Sequence, residues 1–194
     1  MLETQIAGYD FGRVPHSPLT LTELHQLEAA LEFGEPDRQA LHRASDLIAD
    51  HAEEFVDGWR EIIGAHEFLA QWFFGPDHKP DEHYKAAVKK RFVRWVIDVA
   101  TRPFDQAWLD YQQEIGLRHT PDKKNVTDHT QTPPVVPLRY LFAFVAPVAL
   151  TVRPQLQKSG VAPQDIDRIE AAWIKAAVLT VTLWSAPYTK EGLW

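Results

Sequence analysis

Trp108, Tyr111, Ile115 and His119 recur at intervals of three, four and four residues, the spacing that stacks side chains on one face of an α-helix. A histidine that continues an apolar stripe has two uses. As a neutral core residue it satisfies itself against a backbone carbonyl. As a ligand it gives one ring nitrogen to a haem iron whose opposite side stays open to a small molecule. Position alone leaves both open. The other candidates are weaker: His78 and His83, among Asp77, Asp81 and Glu82, match no zinc spacing. The run HEFLA from His66 to Ala70 lacks the second histidine of a metalloprotease helix. No Ser–His–Asp pattern and no phosphate-cradling glycine loop is evident.

Composition narrows the chemistry further. The 194 residues carry no cysteine, which excludes disulfides, iron–sulfur clusters and thiolate ligation of iron. A formal charge of −7 offers no basic field for phosphates, so neither nucleic acid nor an anionic membrane surface is expected as the main partner. Hydrophobic residues make up 45% and aromatics 11%, with seven tryptophans, which is ample for a core and for a flat apolar guest. The longest apolar run, Leu141 to Val152, falls short of the ~20 residues of a membrane span. The start, MLETQIAGYDFG, lacks the basic and apolar blocks of a signal peptide. A cytoplasmic protein is expected.

The elements that would position the histidine read as helices throughout. Residues 1 to 19, with Gly8, Gly12, Pro15 and Pro18 between Tyr9 and Phe11, read as an ordered arm. Thr20 or Thr22 caps a helix to Phe33, and a longer helical stretch runs from Pro36 to about Gly64. The next spans Glu82 to Thr101, with Pro103 as its stop, and the histidine helix runs from about Phe104 to Arg118. Two final helices, Leu138 to about Gln157 and Gln164 to about Ser185, are apolar on most sides and need burial by core, ligand or a second subunit. With no alternating strand pattern, the expectation is one all-α domain over residues 1 to 194.

Several blocks, in order, resemble the protoglobins, single-domain haem proteins related to globin-coupled sensors. They are AGYDFG at Ala7 to Gly12, DGWR at Asp57 to Arg60, and KKRFVRWVIDVATR at Lys89 to Arg102. WLDYQQEIGLRHTPDKKN follows at Trp108 to Asn125, PLRYLFAFVAPV at Pro137 to Val148, and AAWIKAAVLTVTLWSAPYTKE at Ala171 to Glu191. The resemblance implies a globin-like three-over-three helical sandwich with an extra N-terminal helix and an arm that helps to bury haem b. It assigns His119 as the proximal iron ligand and Phe73 to the porphyrin face. Phe92, Phe144 and Val148 would line the distal cavity beside Trp59. Arg91 is implied as a propionate contact, with Arg118 and Lys123 as further candidates. The chain departs from the family at Arg60, where a tyrosine usually follows the tryptophan, and in the arm at Ala7 and Phe11. Burying an unpaired guanidinium beside an apolar ring is costly, so Arg60 is expected to turn outward.

The function so implied is reversible binding of diatomic gases (oxygen, carbon monoxide, nitric oxide) at five-coordinate iron, in a homodimer joined through the two C-terminal helices. An enzyme competes with this reading. The same iron could detoxify nitric oxide or reactive nitrogen species, act as a peroxidase, or transfer carbenes in an engineered pocket. No distal acid–base pair is apparent, and no attached output or reductase domain is expected after Trp194.

Overall fold

The computed structural model describes residues 6–189 and Trp194, and every regular element among them is helical. Helix α1 (Leu21–Ala30) starts at Thr20, whose hydroxyl accepts from the Glu23 amide while the Glu23 carboxylate accepts from the Thr20 amide. It stops three residues earlier than the sequence pattern implies, because Glu32 adopts a left-handed conformation, φ 52°. Helices α2 (Glu35–Arg43) and α3 (Ser45–Gly64) divide the long stretch expected from Pro36 to Gly64. Helix α4 (Glu67–Ala70) and a 3-10 turn (Gln71–Phe73) lead to α5 (Glu82–Thr101), which has the bounds its two faces imply and is capped by the Asp81 carboxylate. Helix α6 (Gln106–Leu117) is capped by Asp105.

The expected helix from Leu138 to Gln157 is two elements, α7 (Leu138–Leu150) and α8 (Val152–Lys158). Pro147 sits inside α7 without ending it. Pro154, which has no amide to give the Leu150 carbonyl, coincides with the break. Helix α9 (Pro163–Ser185) passes through the centre of the molecule against α2, α6, α7 and α8, while α3 lies along α5. The result is a three-over-three helical sandwich with α1 and the arm added at the N-terminal side. Together with the following turn, α9 forms a 26-residue span long and apolar enough to cross a membrane, which corrects the expectation that no segment reaches that length. Here that apolarity is used internally: Ala172, Trp173, Ala176, Leu179 and Leu183 are fully buried among the other helices.

The arm is fastened by two buried aspartates. Asp98 accepts from the Tyr9 hydroxyl at 2.6 Å and from Arg94 and Arg102; Asp110 accepts from the Ser17 amide and contacts His16. Arg102 lies 3.8 Å over the Phe11 ring, and Tyr9 meets Tyr111 edge-on. Close to the arm's start, the Ala7 and Gly8 carbonyls accept from Arg91 and Arg118. Gly8 holds φ +72°, and a Cβ there would lie 2.8 Å from Arg91 Nη1 and 2.9 Å from Thr127 Cγ2. Gly8→Ala therefore meets both left-handed strain of about 1–2 kcal/mol and a collision. A melting curve should show Tm lowered by roughly 2–8 °C; an unchanged Tm would mean the arm contributes no stability.

Candidate functional site

Helices α5, α6, α7 and α9, with the 3-10 turn and residues of α3 and α4, surround a cavity of about 230 Å³, more than about fifteen times what one water needs. Helix α5 presents Tyr84, Val88, Phe92 and Trp95 at helical intervals; α7 adds Leu141, Phe144, Val145 and Val148. Helix α9 supplies Ala177, Val181 and Trp184, and the end of α6 supplies Ile115, Arg118 and His119. Trp72 and Phe73, on the 3-10 turn, close one side. The walls are therefore mostly apolar, and such a hole stays empty of water unless polar groups hold it. It is a space for a guest rather than a packing defect.

His119 is the polar group best placed to hold one. His119 lies in the turn just past the end of α6, and its Nδ1–H donates back to the Ile115 carbonyl in the last turn of the helix at 2.9 Å. That bond fixes the tautomer and leaves Nε2 with a lone pair and, among the described residues, no hydrogen-bond partner. Burial pushes the imidazole pKa down to about 4, with Lys124 and Arg118 adding to the same direction. The ring is thus neutral near pH 7, the form in which imidazole binds a metal. Trp184 stacks on it at 5.4 Å with an interplanar angle of 25°, and is itself fixed by a bond from its indole N–H to Gln112. Gly116 lets α6 approach α9 this closely, since a Cβ there would lie 3.1 Å from the Trp184 backbone and from Pro187.

Seven of the eight site residues implied by the sequence share this cavity: Arg60, Phe73, Arg91, Phe92, His119, Phe144 and Val148. Trp59 does not reach it. Its indole is buried behind Phe92, 5.0 Å between ring centroids, and donates to Thr151 at 2.7 Å, so it supports the wall from behind. Arg60 lies at the cavity edge, one-third exposed, with Nη1 3.5 Å from the exposed Asp57 carboxylate. Arg91 is held in a two-point ion pair with Asp128, at 2.9 and 2.6 Å. Arg118 and Lys123 both pair with Glu114. The feature with no forewarning in the sequence is Lys124, which is 2% exposed and lies on the cavity wall. In the sequence it is half of an ordinary Lys–Lys pair in a polar loop. Only the packing of that loop against Trp72 distinguishes it from Lys123.

A helical sandwich enclosing an apolar slot, with one neutral imidazole presented to it, defines a globin-type protein. The chain belongs to the protoglobin family, whose model matches residues 20–194. The globin domain of the Geobacter sulfurreducens globin-coupled sensor has the same fold, with a TM-score of 0.67 at 15% identity over 86% of this chain and 97% of that one. No curated protein matches the chain by sequence. Membership in the family implies a haem cofactor and a gaseous ligand. The residues present fit such a group: a lone pair on a neutral imidazole, apolar walls, and a buried lysine charge facing no carboxylate partner.

Proposed function

We propose that the chain binds haem b through His119 Nε2 and takes up diatomic gases (oxygen, carbon monoxide or nitric oxide). The observation that carries this reading is the neutral, desolvated His119, oriented by the Ile115 carbonyl on the wall of an apolar cavity. The iron, when bound, supplies the site that coordinates the gas. The chain's own part is to give it one imidazole and to exclude water: Phe92, Phe144 and Val148 leave little to hydrogen-bond a second strong ligand. Trp59 has given its N–H to Thr151. Visible spectra of the purified ferrous protein, with and without carbon monoxide, test the reading. A Soret band that shifts on carbon monoxide addition is expected, and its absence would remove the proposal.

Arg60 stands where a distal donor would be sought, yet its guanidinium is drawn to Asp57 on the exposed side of its own helix. An exposed ion pair of this kind contributes at most about 1 kcal/mol. Arg60→Leu should therefore change the oxygen dissociation rate by no more than about fivefold. Stopped-flow displacement by carbon monoxide measures it, and an acceleration beyond tenfold would show that the guanidinium turns to the bound gas.

We further propose a cytoplasmic homodimer. Helix α9 is largely consumed by the core of its own chain, but α7 leaves Phe142 and Leu150 half or more exposed. Two copies joined along α7, with α9 beneath, would cover them.

A further inference from the structure

Six cationic side chains line the cavity among the described residues: Arg60, Lys85, Lys89, Arg91, Arg118 and Lys124. The first five are each ion-paired with a carboxylate of the chain. Lys124 has none. It is also the only fully buried one of the six. Its ammonium donates to the Trp72 carbonyl at 2.9 Å and to the Thr132 hydroxyl at 2.6 Å, both neutral acceptors, and lies 5.1 Å from the Tyr84 ring. An ammonium has three protons, and beyond the face of the Tyr84 ring the third meets no hydrogen-bond acceptor among the described residues. The Tyr84 hydroxyl, on the same wall, makes no hydrogen bond either.

A buried ammonium with no counter-charge is costly, and burial pushes its pKa down to about 8. Near pH 7 the charge is still largely present. Its two hydrogen bonds, to Trp72 and Thr132, satisfy neutral acceptors but supply no negative charge to balance it. The missing element is an anion supplied by the guest. The paired arginines are poorer candidates: Arg91 already spends both terminal nitrogens on Asp128, and Arg118 is shared between Glu114 and the Gly8 carbonyl.

We propose that Lys124 is the primary anchor of a haem propionate, its ammonium taking the carboxylate as third hydrogen-bond partner and counter-ion. This rests on the haem reading of the cavity. The lysine sets which edge of the porphyrin lies toward the 3-10 turn, while His119 sets the metal's position. Removing the charge should weaken binding of the diacid porphyrin but relieve the empty protein.

The test compares haem with its dimethyl ester, which keeps ring and iron but has no carboxylate. Full-length wild-type and Lys124→Met proteins are loaded with each, and release to an excess of haem-scavenging acceptor is followed by absorbance. Haem should leave Lys124→Met faster by on the order of 30-fold, whereas the ester should leave both proteins at equal rates. In addition, the haem-free variant should melt no lower than the haem-free wild type. Equal acceleration for haem and ester, or none for haem, overturns the assignment and leaves Lys124 a packing residue. Lys124→Gln gives the same comparison should the Met variant not fold. If wild-type protein forms no Soret band with either compound, it is the haem reading that fails, and this inference with it.

Discussion

Replacing His119 by alanine should abolish normal haem retention. Changing a residue that only supports a metal ligand typically costs about 10–100-fold in affinity, so loss of the ligand itself should exceed about 100-fold. The variant should still fold. The lost bond between the ring and the Ile115 carbonyl is a neutral one, worth about 1 kcal/mol, and the cavity already present on the far side can take the vacated volume. Imidazole added to the buffer should enter that space, stack on Trp184 as the side chain does, and restore most of the ferrous and carbonyl spectra. Spectra and haem-release rates of the variant, with and without imidazole, check both statements. A ferrous spectrum identical to wild type would show that another group holds the iron. Near-normal far-UV dichroism with lost haem would separate ligation from folding.

Much of this site was legible in the sequence, chiefly because ordered blocks of it resemble the protoglobins; helical spacing by itself gave only the faces. The intervals from Trp108 to His119 place the imidazole on the stripe that turns inward, and α5 begins and ends where its pattern and Pro103 imply. The failures share a physical cause. Leu41, Ala44, Leu47 and Ile48 continue one 3.6-residue period across the point where α2 ends. No glycine or proline marks the break at Ala44, which arises because α2 lies on α9 while α3 lies on α5. Trp59 and Phe92 are both large, aromatic and inward, and only the crossing of α3 and α5 decides that phenylalanine faces the cavity and tryptophan stands behind it. Lys124 was invisible for the same reason. Burial of a loop lysine depends on what closes over it, and periodicity carries no information about loops.

Trp184→Ala should produce the largest loss of stability, and for a reason that reaches the iron site. The indole joins three parts of the molecule: it stacks on His119, meets Trp95 at 5.6 Å, and donates to Gln112, itself buried on α6. Truncating a buried tryptophan to alanine costs about 3–5 kcal/mol, and the orphaned Gln112 carbonyl adds to it, since an unmatched buried acceptor costs about 1–3 kcal/mol. Equilibrium urea denaturation of the haem-free protein reads the sum. The iron site should respond separately. Without the stack, the His119 ring is held by the Ile115 bond alone and gains freedom to rotate about its side-chain bonds, so haem release should quicken. Trp184→Phe distinguishes the two contributions, because it keeps an aromatic face against the imidazole but removes the donor. It should recover most of the haem retention while remaining about 1–3 kcal/mol less stable than wild type. If instead Phe and Ala release haem equally fast, the stack has no part in holding the ligand, and the orientation of His119 belongs to the backbone carbonyl alone.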